Sequence, residues 1–562
     1  MNKITLSFLS VLFVCNIGYS QLVEAWVYLT EKPNATQRIL SPEDFLSAKS
    51  IARKSVQQVE IDARDLPLEA SYITQIKNTS NINYLAHSKW FNAIYVEGQQ
   101  QDISALLALS FVEDIYFMGS HNTLVEAQAQ NAQVAFKQLV RNNKFDLENL
   151  QTPVTASEVS SYPYSDDFIQ QLNLQELHNL GYKGEGITIA VLDNGFYKVD
   201  ELAAFDRARS RGTLLGGYDF EAKSDQIYTS STGSHGTNVL GCMLGYIEDL
   251  YQGTAIDASY YLFRTEVVTE SPKEEAYWVA AAEKADSLGV DIINTSLGYT
   301  TFDNSIYNYS NSDMDGVTSF ISRAAGIANE KGMLSVTSAG NSGRSAWRII
   351  SAPADNPDGI SVGAVTATGT IASFSSVGPN ANGSLKPDVV AMGQSIYVVN
   401  TTGSISLSNG TSFSSPVLAG AMACLKQTSP DESNEALKTS LKASSDRFFT
   451  PDITYGNGIP DFYKAYESLH TELSQNTLEH FELPVSTMDD LEIYTDVKNK
   501  QISFSRVLDR ASYQVYTLSG ELISQDTLFS KDKILVEGFS SGLYLLNVDE
   551  SQNSKTFKFV VL

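Results

Sequence analysis

Cysteine is scarce: three residues in 562, with none of the paired spacings that hold zinc. Cys15 lies in the leader described below, so Cys242 and Cys424 remain, both in apolar segments that read as helical. One disulfide between them is open in an oxidising compartment, but two buried thiols are the preferred reading. Positive charge is also short. Lys and Arg number 39 against 65 Asp and Glu, a formal net charge of −26. A partner with a phosphate backbone needs a basic face, so nucleic acid is excluded. Beyond the N-terminus no stretch approaches the ~18 apolar residues of a membrane helix, which points to a soluble mature chain. Internal repeats are lacking too.

What the chain does contain is enough apolar material for sizeable cores, 43% hydrophobic and 10% aromatic, over a length of several domains. Residues 1–20 read as a removable signal peptide. Lys3 opens it, Ile4 to Ile17 are mostly apolar, and Gly18-Tyr19-Ser20 places small residues at the cleavage point. Residues 21–155 begin with the alternation of strands (Val23–Leu29, Trp90–Val96, Phe111–Met118) around a helix at Asp102–Leu109. They end in a polar linker, so this is a small α+β domain. Residues 156–470 change character. Short apolar runs at Ile187–Leu192, Asp291–Asn294, Met333–Thr337, Gly359–Val365 and Asp388–Met392 are those of buried parallel strands. Helical stretches such as Lys273–Ser287 and Ser319–Glu330 separate them. The pattern predicts a doubly wound, mostly parallel α/β sheet with helices on both faces. After a linker at 471–485, residues 486–562 carry short strands punctuated by turn residues, a small β-sandwich.

In such a sheet functional residues gather at the carboxyl ends of the strands. There stand Asp193-Asn194-Gly195 and Ser338-Ala339-Gly340-Asn341, while Ser234-His235-Gly236-Thr237 and Gly410-Thr411-Ser412-Phe413-Ser414-Ser415-Pro416 open helices. An activated serine needs a base, an acid to orient that base, and fixed donors for the developing oxyanion. Ser412 at a helix start supplies the hydroxyl, His235 the base and Asp193 the orienting carboxylate. Asn341 and the Ser412 backbone N–H supply the oxyanion donors. Of the other histidines, His178 reads as a packing residue.

In this order Asp-x-Gly, His-Gly-Thr, Ser-Leu-Gly, Ala-Gly-Asn and Gly-Thr-Ser-x-Ser-x-Pro resemble the subtilisin-like serine proteases (subtilases). Phe374-Ser375-Ser376-Val377-Gly378-Pro379 and Lys386-Pro387-Asp388 extend the resemblance across roughly 170–470. It implies a serine endopeptidase acting on polypeptides through an acyl-enzyme at Ser412, without a catalytic cofactor. Ser296, Leu297 and Gly298 are implied as the edge on which substrate adds as a strand. Asn194 departs from the pattern, which has Ser or Thr there. Residues 21–120 resemble the family's propeptide, an inhibitor of its own enzyme, with an unrelated binding domain as the alternative. The last 70 residues resemble the Bacteroidetes type IX secretion sorting domain, through Val515-Tyr516-Thr517-Leu518-Ser519-Gly520, Gly542-Leu543-Tyr544-Leu545 and the end Lys555 to Leu562. That implies the secretion machinery as a partner and a cell-surface or secreted location after passage through the periplasm. An adhesive sandwich is the alternative. Structural calcium, common in the family, could use Asp303, Asp313 and Asp315 of the loop 299–316; a solvated surface insertion is the preferred reading. The rival for the whole chain is a surface adhesin on an inactive protease scaffold.

Overall fold

The computed structural model describes residues 22–120, 162–229, 233–474 and 491–561 apart from 492, 497–500, 509–510, 518–521, 529–530, 537–538, 540–541 and 551–552. The expected leader, the polar segment 121–155 and residues 475–485 of the linker expected at 471–485 lie outside the described residues, whereas 471–474 end the helix Phe462–Ser474. The chain divides into two compact units, Met1–Leu473 and Ser474–Leu562.

The first unit opens with an antiparallel sheet of β1 (Val23–Leu29), β2 (Ile82–Ser88), β3 (Ala93–Gly98) and β4 (Val112–Phe117), in the order β2-β3-β1-β4. Its alternation sorts side chains between two cores. Ala25, Val27, Ile94 and Val96 pack on the domain's own short helices. Trp26, Ala93 and Tyr95 turn the other way and join the core beneath the helices Lys273–Leu288 and Phe320–Glu330. Trp26 stacks on Phe320 with centroids 5.3 Å apart. Buried charge joins the same faces: Asp286 pairs with Arg53, Lys54 and Lys89. Burial pushes the Asp286 carboxyl up, but the three cations outweigh it and hold it down at about 2.

A seven-stranded sheet follows: β5 (Thr188–Asp193), β6 (Leu214–Asp219), β9 (Ser259–Arg264), β10 (Ile292–Thr295), β11 (Leu334–Ser338), β12 (Ile360–Val365) and β13 (Val389–Met392). Between β6 and β9 lies a two-residue hairpin, β7 (Tyr246–Ile247) and β8 (Tyr251–Gln252). The order is β13-β12-β11-β10-β5-β9-β6, and every neighbouring pair is parallel. Both faces are covered, as the apolar runs demand. Ile189 and Val191 face the helices Ser234–Leu244 and Thr411–Thr428, whereas Ala190 and Leu192 face Lys273–Leu288 and Phe320–Glu330. An antiparallel pair, β14 (Gln394–Val399) and β15 (Ile405–Asn409), leads into Thr411–Thr428.

The second unit is all β. β16 (Ile493–Asp496), β17 (Gln501–Leu508) and β20 (Lys531–Leu535) make one sheet. β18 (Ala511–Thr517), β19 (Leu522–Leu528), β21 (Gly542–Glu550) and β22 (Asn553–Val561) make the other. Ile502 and Phe504 from the first sheet share a core with Val515, Leu546 and Phe559 from the second.

Candidate active site

Asp193 is the last residue of β5 and fully buried; its carbonyl accepts the Thr265 N–H at 3.0 Å. Its Oδ1 lies 2.7 Å from Nδ1 of His235, in the first turn of Ser234–Leu244. A carboxylate only accepts, so Nδ1 carries the proton and Nε2 is the basic nitrogen. The two loops can come this close because of glycine. A Cβ on Gly236 would sit 2.3 Å from the Gly195 carbonyl oxygen and 3.0 Å from Asp193 Cβ. Asn194 keeps this corner intact. Its amide N–H donates to Asp193 Oδ1 (2.8 Å), its side-chain oxygen accepts the Gly236 N–H (3.3 Å), and its carbonyl accepts from Arg264 Nε (3.2 Å).

Ser412 is the second residue of the helix Thr411–Thr428. Phe413, beside it, lies 5.9 Å centroid to centroid from the His235 ring. Pro416 falls inside this helix, where it has no N–H to give the carbonyl four residues back, that of Ser412. Ser296, just past β10, fills the gap. Its hydroxyl donates to the Ser412 carbonyl at 2.8 Å, while its own carbonyl accepts the Ser412 hydroxyl at 3.1 Å. Asn294 Nδ2 donates to the same Ser296 hydroxyl at 3.1 Å. Leu297 is buried, and Gly298 leads into Tyr299, which is bridged to Ala352.

Asn341 follows β11 and is exposed to solvent. Both the backbone N–H (2.9 Å) and the hydroxyl (3.0 Å) of buried Thr411 donate to its Oδ1. A backbone N–H can only donate, so the amide orientation is fixed and Nδ2 is turned away from Thr411. The structure thus joins Asp193 to His235, Ser412 to Ser296, and Asn341 to the helix that carries Ser412. Thr411 and Arg264 were not singled out from the sequence. Thr411 stood inside a quoted motif, and Arg264 carried no local signal.

Other expected groups stand elsewhere. His178 is buried, with Nε2 2.9 Å from the Thr254 carbonyl oxygen and Nδ1 2.9 Å from Gln252 Nε2, which fits its packing role. Cys242 and Cys424 are buried and free, and burial pushes the Cys242 thiol up to about 12. Of the calcium candidates, Asp313 accepts from Ser310, and Asp315 from Val317 and Thr318. Each serves its own turn. Among the described residues no three His, Cys, Asp or Glu side chains converge. At the start of the loop 299–316 Tyr299 donates to Glu266, and burial first, then that carboxylate, pushes its phenol well up.

Comparison with known proteins finds the subtilase family over residues 184–458, a Peptidase S8 propeptide domain of Bacteroidota over 24–135, and a secretion-system C-terminal sorting domain over 496–562. Among similar curated proteins, Subtilisin NAT of Bacillus subtilis subsp. natto is 30% identical over 302 residues, 53% of this chain and 70% of that protein. Subtilisin Savinase of Lederbergia lenta is 28% identical over 295 residues, 52% of this chain and 94% of that protein. A solved structure of MycP1 with the N-terminal propeptide removed is similar at a TM-score of 0.41 and 22% identity, covering 57% of this chain and 98% of that one.

Proposed function

The chain belongs to the subtilase family as an exported serine endopeptidase with a propeptide and a sorting domain, and on that premise we propose that Asp193, His235 and Ser412 form its catalytic triad, with Asn341 as oxyanion donor. What supports this reading is the buried 2.7 Å contact between Asp193 and His235 Nδ1 at the carboxyl end of β5, next to β10, past which Ser296 bonds Ser412. His235 Nε2 takes the proton as Ser412 Oγ bonds to the scissile carbonyl carbon. Asp193 stabilises the imidazolium. The oxyanion is held by Asn341 Nδ2 and by the Ser412 backbone N–H, one of the amides without an intrahelical partner at a helix start. Collapse breaks the C–N bond, His235 returns its proton to the leaving amine, and water then hydrolyses the acyl-enzyme by the same steps. The edge Ser296-Leu297-Gly298 receives the peptide as an added strand.

The N-terminal domain acts as the enzyme's inhibitor until it is removed. Supporting this, its sheet shares a core with two helices of the protease, and the chain leaving β4 at Gly119 runs against Ile306 of the loop that continues the substrate edge. The C-terminal domain delivers the chain to the type IX machinery. The test of the triad is a fluorophosphonate probe together with a peptide library. Wild type is labelled at Ser412 and cleaves peptides. Ser412→Ala does neither, retains the N-terminal domain, and melts within about 1 kcal/mol of the unprocessed wild-type chain. Full hydrolysis by folded Ser412→Ala, or labelling at another residue, refutes the assignment.

A further inference from the structure

Asp193 is held through one oxygen. Its Oδ1 accepts both the His235 Nδ1 proton (2.7 Å) and the Asn194 N–H (2.8 Å), whereas Oδ2 is buried without a hydrogen-bond partner among the described residues. A carboxylate gripped at both oxygens is aimed by its own contacts; this one is aimed by wherever the Asn194 peptide lies. That peptide is tied twice. The Asn194 side-chain oxygen accepts the Gly236 N–H (3.3 Å), in the helix that carries His235, and its carbonyl accepts from Arg264 Nε (3.2 Å). A Ser or Thr hydroxyl, the usual group after the acid, ends one bond sooner, so the tie to Gly236 belongs to asparagine. Arg264 closes β9, opposite Asp193 on β5 and Asp219 on β6. It is buried, and its Nη1 donates to Asp219 Oδ2 at 2.8 Å. Asp219 is pinned in turn: its Oδ1 accepts the Ala222 N–H at 2.8 Å, and its backbone pairs with Ser224 at 2.7 and 3.1 Å. Glycine gives the arginine its path. Gly195 holds φ at +126°, and a Cβ there would lie 3.0 Å from Gly233 Cα and 3.4 Å from Arg264 Cδ.

We infer that Arg264 and Asn194 are positioning residues that together aim the Asp193 carboxylate at His235. The inference rests on Asp193, His235 and Ser412 being the triad. A guanidinium presents its donors in a fixed fork, so seating Nη1 on Asp219 dictates where Nε points. The contacts run from Asp219 through Arg264 to the Asn194 carbonyl, and from the Asn194 N–H to Asp193. The Asn194 side chain then leads back to the helix of His235. Acid and base therefore hang from the same residue. A small shift of Asn194 carries the carboxylate and the first turn of that helix together, which preserves their 2.7 Å contact. None of these contacts involves Ser296, Leu297 or Gly298, so the unit serves proton transfer and not substrate binding.

The test compares kcat and KM of the mature wild-type enzyme with those of Asn194→Ala, Arg264→Lys and the charge-free pair Arg264→Met with Asp219→Asn. Fluorophosphonate counts the active sites, and melting curves report the fold. Lysine keeps the charge opposite Asp219 but lacks the fixed fork. Losing the orienting acid outright costs about 10⁴ in kcat, and loosening its aim costs about tenfold. Each variant therefore loses about tenfold in kcat with KM within about twofold, and Arg264→Lys does so while melting close to wild type. If Arg264 only neutralises Asp219, Arg264→Lys and the charge-free pair are both fully active, which overturns the inference. Wild-type kcat in Asn194→Ala, or a loss that falls on KM, overturns it as well. Asn194→Ala leaves no charge unpaired and decides the matter by itself if the arginine variants do not fold. A wild type labelled at Ser412 beside fully active variants sinks only this inference, whereas a wild type neither labelled nor able to cleave sinks the reading beneath it.

Discussion

Thr411→Val is the sharpest test of how the oxyanion donor is held. Thr411 grips Asn341 Oδ1 with both its N–H and its hydroxyl, and the same hydroxyl accepts the Gly340 N–H at 3.2 Å. Valine keeps the shape and removes both hydroxyl contacts, leaving the backbone N–H alone on Oδ1. The Gly340 N–H loses its acceptor in a half-buried place, so stability falls by about 1–2 kcal/mol. Removing an oxyanion donor outright lowers kcat by about 10²–10³. With one of two tethers gone, roughly half of that contribution in free energy is lost, a fall in kcat of about tenfold. KM stays level, because the contact matures only in the transition state. The assay is pre-steady-state acylation with a peptide ester, with active sites counted by fluorophosphonate. The decisive comparison is the double variant. If Thr411 acts through Asn341, Thr411→Val costs nothing further in an Asn341→Ala background. An undiminished tenfold loss there, or no loss in wild type, refutes the reasoning.

Two further outcomes are expected. Glu275 accepts from Tyr309 and from the Ile321 N–H, and burial pushes its carboxyl from 4.5 up to about 7. The folded state therefore holds a proton that the unfolded chain releases, so stability declines as pH climbs from about 4.5 to about 7 and is flat above that range. Glu275→Gln removes the charge and keeps one of the two acceptor oxygens. Melting curves of the Ser412→Ala background should lose on the order of 3 kcal/mol of that decline, and an unchanged pH slope counts against the assignment. Truncation to residues 1–485 should leave an activatable protease retained in the periplasm of a host with the type IX system; normal secretion of the truncated chain returns the last domain to an adhesive role.

The protease sheet was legible where burial is two-sided. β5, β10, β11, β12 and β13 are each buried along their whole length, and each lies within a residue of the run expected for it. β6 was not legible. It lies at the sheet edge, mostly half-buried, and contains Gly216 and Gly217; a Cβ on Gly217 would fall 1.7 Å from the Leu262 carbonyl oxygen. The glycine that weakens the strand signal is the one that permits the pairing. The strand expected at Trp90–Val96 starts instead at Ala93, and the reason is distant in sequence. Glu283 accepts from the Ser88 hydroxyl and from the N–H groups of Lys89 (2.8 Å) and Trp90 (3.0 Å), pinning that stretch as a turn.

At the site, residue types were legible and their couplings were not. Pro416 lies inside the serine helix, where proline removes a backbone bond. The helix nevertheless starts at Thr411, because the carbonyl orphaned by Pro416 is that of Ser412 and Ser296 donates to it from another strand end. The Ser-Leu-Gly and Gly-Thr-Ser-x-Ser-x-Pro motifs, read separately as a substrate edge and a nucleophile turn, are therefore one hydrogen-bonded unit. Ser296 holds both the carbonyl and the hydroxyl of Ser412. A strand docked on this edge would therefore lie on a segment already bonded to Ser412. On the proposed assignment, substrate register and nucleophile position are set by the same residue, a coupling that depends on which carbonyl Pro416 leaves open and that no spacing within either motif could express.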